Sequence, residues 1–131
     1  MKNNIEIFTL LCLVQIALDD VQFQSCRNKC GKLLIMVHHI LAIYLVFGSV
    51  IFGCHKRHLF VISMALFLNM IGNMCPITKW HNTMCGHPSD TYLPTYLNHM
   101  FKGRDIQTMR KIYKSVLLFV ILYDVKHVLN R

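Results

Sequence analysis

The stretch LLIMVHHILAIYLVFGSVIFGC, Leu33 to Cys54, runs 22 residues without Lys, Arg, Asp or Glu, and only His38 and His39 are strongly polar. A helix rising about 1.5 Å per residue makes it about 33 Å long, enough for a hydrocarbon core of about 30 Å. Its β-branched residues and Gly48 weaken a helix in water. Lipid offers the backbone no other partner, so helix is enforced there. The stretch predicts a membrane span.

Next comes a polar His55-Lys56-Arg57-His58 element, then a second apolar run from Leu59 to Thr78 containing Asn69 and Asn73 and broken by Pro76. So short a polar turn makes the two helices an antiparallel hairpin. Residues 79–104 show no sustained period and predict a structured loop. Asp105 is a candidate N-cap for a helix running toward Asn130, whose uncharged centre is Ser115 to Tyr123. Such a centre is too short to span alone, but Lys114 can snorkel, and Tyr113 and Tyr123 suit interfacial positions. The reading is a third span, with an interfacial helix as the alternative.

The expected fold is therefore all-α, a small transmembrane helical bundle with spans at 33–54, 59–78 and about 108–128. Ahead of it, Lys2 and the apolar run Ile5 to Leu18 resemble a signal peptide. Leu18-Asp19-Asp20 makes a poor cleavage site, and Glu6, Thr9 and Gln15 leave the run short for a span. A signal-like segment, an uncleaved interfacial helix and a short extra span all remain open. The chain divides into an N-terminal apolar segment with a basic connector (1–32) and a multi-span domain (33–131).

Composition agrees. Of 131 residues, 54% are apolar and 15% charged, against about 25% charged in soluble proteins. The net charge is +8, and the basic residues sit between apolar runs. They form no stripe interleaved with aromatics, so the expected partner is the lipid bilayer with its anionic headgroups, and no nucleic acid. Other membrane subunits, or a second copy of the chain, are the further partners. In the three-span arrangement Arg27, Lys29, Lys32, Lys79, Lys102, Arg104, Arg110, Lys111 and Lys114 share one side. Lys56, Arg57, Lys126 and Arg131 lie on the other. The positive-inside rule then puts loop 79–104 on the cytoplasmic side.

Polar residues inside a span are costly and mark either a seam between helices or a site. His38, Ala42, Ser49 and Gly53 recur at helical spacing, as do Ala65, Asn69, Gly72, Asn73 and Pro76. One reading is a packing seam. The other is a polar site where His38 or His39, with His99 or Cys75, binds haem or a transition metal or relays a proton. Cys75, His81, Cys85 and His87 supply the nitrogen and sulfur donors that zinc favours, although their spacing matches no standard zinc motif. If the connector and the loop share a face, a disulfide from Cys26 or Cys30 to Cys85 becomes available. Asp124 reads as a terminal charge at the membrane interface, because span ends tolerate charge better than centres. The chain contains no G-x-S-x-G, Walker, G-x-G-x-x-G or H-E-x-x-H element, so no catalytic residue is assigned.

His38 through Gly53, the hairpin turn and CPITKWHN (Cys75–Asn82) resemble the small membrane proteins grouped as domain of unknown function twenty-seven eighty-four. That family carries an early His in its first span and ends its second in Cys-Pro-Leu-Thr, with an acidic residue and Asn following. A Tyr-containing loop then leads to a Phe-Ile-x-His-Tyr-like stretch and a last span. Here His38 or His39, Cys75-Pro76-Ile77-Thr78, Asn82 and Tyr96-Leu97-Asn98-His99-Met100-Phe101 stand at the corresponding places, over roughly residues 33–128. His81 occupies the acidic position, so no role of that acid carries over, and the N-terminal 32 residues are extra. The resemblance implies the multi-span architecture and no particular activity. It points to His38, His39, Cys75, Asn82 and His99. The expected function is a non-enzymatic membrane component or accessory subunit, and the alternative is a haem- or metal-binding redox protein of the membrane.

Overall fold

A computed structural model of the chain describes residues 2–18, 26–72, 74–88 and 106–130. They form five helices and no strand: α1 (Lys2–Leu18), α2 (Lys29–Phe52), α3 (His55–Gly72), α4 (Pro76–Cys85) and α5 (Ile106–Leu129). The all-α expectation holds.

The boundaries follow from local chemistry. Asn28 caps α2, its side-chain oxygen accepting from the N–H of Cys30 (2.8 Å) and of Gly31 (3.4 Å). At the other end Gly53 adopts φ 65°, a left-handed conformation natural to glycine, and its N–H returns to the Ser49 carbonyl. That single residue reverses the chain, and His55 is already helical. His55 to His58, expected as a turn, thus form the first turn of α3 and bring their side chains to the end of the bundle. Pro76 likewise starts a helix where the sequence reading had it break one. Proline has no N–H to lose at a first helical position, and its fixed φ suits it. The expected span 59–78 is consequently two helices bent by 57°. α4 continues to Cys85, so the first part of the expected loop is helical; Asn73, His99 and Asp105 lie outside the described residues.

α1 runs antiparallel to α2. Asn4 Nδ2 donates to the Ile51 carbonyl (2.6 Å), Phe8 meets Phe52, and Gln15 Nε2 lies 2.8 Å from His39 Nδ1. Carbonyls in the last turn of a helix lack internal partners, which makes Ile51 an available acceptor. The core, Leu45, Ile62, Leu117 and Val120, joins α2, α3 and α5. On α2 the buried stripe is Ile35, His39, Ala42, Leu45 and Ser49, so Ala42 and Ser49 of the expected seam face inward, and the inward histidine is His39 and not His38. On α3 it is His55, His58 and Ile62, while Asn69 spends its amide on its own Ala65 carbonyl.

By length and composition α2 is the one described helix able to cross a membrane alone, and α3 with α4 passes as a second only if the bent pair counts as one span. α5 is long enough at 24 residues but carries Arg110, Lys111, Lys114, Asp124 and Lys126. Val50, Phe60, Phe67, Ile71, Phe119 and Leu122 each stand more than half exposed on the outer faces of α2, α3 and α5. An apolar surface of this kind marks contact with lipid or with another protein.

Candidate functional site

Two clusters of polar side chains occupy opposite ends of the bundle. At the hairpin end Asp124, on α5, is completely buried. It is no terminal charge at a surface. A buried carboxylate is costly unless its oxygens find donors, and both do. Oδ1 lies 2.9 Å from His55 Nδ1 and Oδ2 lies 2.5 Å from His58 Nδ1. The histidines are three residues apart at the start of α3, so both rings leave the same helix face. The buried Ser49 hydroxyl lies beside the same carboxylate. The His55 ring stacks on His127, centroids 4.5 Å apart and planes within 8°.

His58 faces an acceptor at each ring nitrogen, because its Nε2 lies 2.9 Å from the Tyr44 carbonyl oxygen. A neutral imidazole has only one N–H. Its tautomer therefore decides which of the two acceptors a neutral His58 ring serves. Structurally the cluster ties α2, α3 and α5 together.

Gly48 makes room for it. A Cβ there would lie 2.7 Å from Tyr44 Cδ2 and 3.0 Å from His58 Cδ2. Alanine is the better helix former by about 1 kcal/mol, but overpacking costs about 1–3 kcal/mol. The His58 ring is held at both nitrogens and yields poorly. Gly48→Ala is thus expected to lower stability by about 1 kcal/mol net in a thermal melt in detergent. A rise in melting temperature would show that the ring moves freely.

At the opposite end a disulfide joins Cys26, just before α2, to Cys85, the last residue of α4, across 59 positions of sequence. Of the two partners open to Cys85 in the sequence, Cys26 is the one taken; Cys30 is an exposed free thiol. His81 is buried against the pair, its Nδ1 2.9 Å from the Gly31 carbonyl oxygen and 3.4 Å from Cys85 Sγ. A Cβ on residue 31 would sit 2.5 Å from one sulfur and 2.7 Å from the other, so glycine is what lets α2 pass so close.

Of the expected metal ligands, His81, Cys85 and His87 come together, the two rings 5.9 Å apart. Cys75 does not join them. Its Sγ lies 3.8 Å from His38 Nδ1. The expected cofactor histidines diverge: His39 turns toward Gln15 on α1 and His38 toward Cys75. The cleft beside His38, lined also by Leu41, Met64, Leu68 and Tyr113, measures about 240 Å³, below the roughly 300 Å³ at which small-molecule sites begin.

No family model, curated protein or solved structure matches the chain.

Sequence reasoning missed the His55–His58–Asp124 unit. Its signal was present: two histidines at helical spacing directly after a glycine turn, and a lone acid in the apolar run of the last helix. Up-and-down helix order would bring those two places to one end.

Proposed function

We propose that the chain is a small multi-pass integral membrane protein acting as a non-catalytic component of a membrane assembly, with other subunits or with copies of itself. One observation carries this reading: several buried polar side chains meet one another across helices, while large apolar side chains stand on the outward faces. Asp124 engages His55 and His58, Gln15 engages His39, and Cys75 meets His38. In hydrocarbon, where water cannot serve, polar groups must be satisfied inside the protein. Faces bearing Phe60, Phe67 and Phe119 would drive association in water. In this reading α2, the α3–α4 pair and α5 cross the bilayer and α1 lies along α2. Arg27, Lys29, Lys32, Lys79, Arg110, Lys111 and Lys114 favour a cytoplasmic position for the disulfide end.

Two measurements test it. Alkaline carbonate should leave the protein in the membrane pellet, and release into the supernatant would refute insertion. Cys30 and Cys54 are exposed free thiols near opposite ends of α2. In sealed vesicles with the cytoplasmic face outward, an impermeant maleimide should label Cys30 and spare Cys54. The reverse pattern would invert the orientation.

A further inference from the structure

We propose that Cys26, Cys85 and His81 form a redox-gated zinc site: a disulfide when oxidised, and a zinc centre of two thiolates and one imidazole when reduced. One potential ligand atom from each residue lies within 4.8 Å of the other two. Tetrahedral zinc, with bonds of about 2.3 Å to sulfur and about 2.0 Å to nitrogen, sets its ligands roughly 3.5–3.8 Å apart. The three groups reach that spacing once the sulfur–sulfur bond opens and the cysteine side chains part by roughly 2 Å.

Three features go beyond what a plain cross-link requires. Cys26 and His81 are almost wholly shielded from solvent, at 0% and 1% exposure. Gly31 leaves the space beside both sulfurs free of a side chain. His81 Nδ1 already faces Cys85 Sγ at 3.4 Å, close to the separation of two ligands on one zinc ion, and on binding it would give up its contact with the Gly31 carbonyl. Two sulfurs and a nitrogen select zinc over the oxygen-seeking calcium and magnesium. His87 is the next nitrogen donor in reach for the fourth position.

The chemistry balances with a dithiol reductant. It gives two electrons and two protons to the Cys26–Cys85 bond and leaves as its own disulfide, and the bond opens to two thiols. Zinc then binds as the dication and displaces both thiol protons to solvent. A disulfide oxidant reverses the sequence, taking the electrons and expelling zinc. Either state ties the start of α2 to the end of α4. The orientation proposed above places this end where cellular thiols keep such pairs reduced; the chemistry of the site does not depend on it.

The test uses the full chain in detergent, reduced by a phosphine, which takes oxygen from water as the disulfide opens. After anaerobic desalting the protein is titrated with zinc, and with cobalt as the coloured substitute. The reduced chain should bind one zinc and show the visible bands of a tetrahedral cobalt–thiolate centre, and the oxidised chain should show neither. His81→Ala keeps both cysteines, and far-ultraviolet circular dichroism of its reduced form beside the reduced wild type separates a binding defect from a failure to fold. It should weaken zinc binding about 100-fold or more, while Cys30→Ser and Cys75→Ser should leave it unchanged. Absence of binding by the reduced wild type, or equal affinity in His81→Ala, would overturn the proposal. Neither result bears on carbonate extraction, so this inference and the membrane reading stand or fall separately.

Discussion

Asp124→Ala is expected to destabilise the bundle by about 3–5 kcal/mol, the cost of removing one partner from a buried charged pair. The carboxylate serves two imidazoles at once, and both rings are buried, His58 wholly so. Asp124→Asn should be far milder, at about 1 kcal/mol, the difference between a charged and a neutral hydrogen bond. Its amide oxygen can accept from His55 Nδ1–H. Its amide N–H can donate to His58 Nδ1, provided His58 keeps its proton on Nε2 for the Tyr44 carbonyl. Replacing all three polar residues by apolar ones of similar volume should restore most of the loss, because burying the polar set is itself costly. Chemical denaturation in detergent micelles, followed by far-ultraviolet circular dichroism, measures all three variants. An Asp124→Ala variant within about 0.5 kcal/mol of wild type would match a surface charge and would refute the buried cluster.

Reducing the disulfide in the presence of a metal chelator should cost about 4 kcal/mol. The Cys26–Cys85 link closes 59 positions of chain, including all of α2 and α3. The entropy withdrawn from the unfolded chain by a loop of that length corresponds to about 4 kcal/mol. The measurement is the shift in denaturation midpoint with and without reductant. A Cys26→Ala variant should begin near the reduced value and ignore the reductant. A wild-type shift below about 1 kcal/mol would mean that the link does not constrain the unfolded ensemble as the chain-entropy relation requires.

The two ends of the bundle differ in how far they could be read beforehand. At the cysteine end, the disulfide was foreseeable as a choice between Cys26 and Cys30, and His81, Cys85 and His87 were already candidate ligands. What decided the pairing was α4. Pro76 at a first helical position lets residues 76–85 form a helix that lays Cys85 and His81 against Gly31. A reading that treated proline only as a breaker placed these residues in a loop. At the hairpin end the candidates were weighed one at a time. His55 to His58 were read as turn and Asp124 as interface, each the commoner role for its position. Nothing local tells a histidine that its partner lies 66 or 69 residues away.

The sequence alone determined that the described residues are helical and where the long apolar stretches lie, because such stretches act over a few residues, but it did not place the first turn of α3 or the helix α4. Tertiary structure decided which polar side chains meet: Asp124 with His55 and His58, Cys26 with Cys85, His39 rather than His38 toward the core. Helix formation is a local balance of backbone hydrogen bonds and side-chain entropy, legible from neighbours in the chain. A buried charge or a cross-link depends on the register and facing of helices far apart in sequence, and that is set only when they pack.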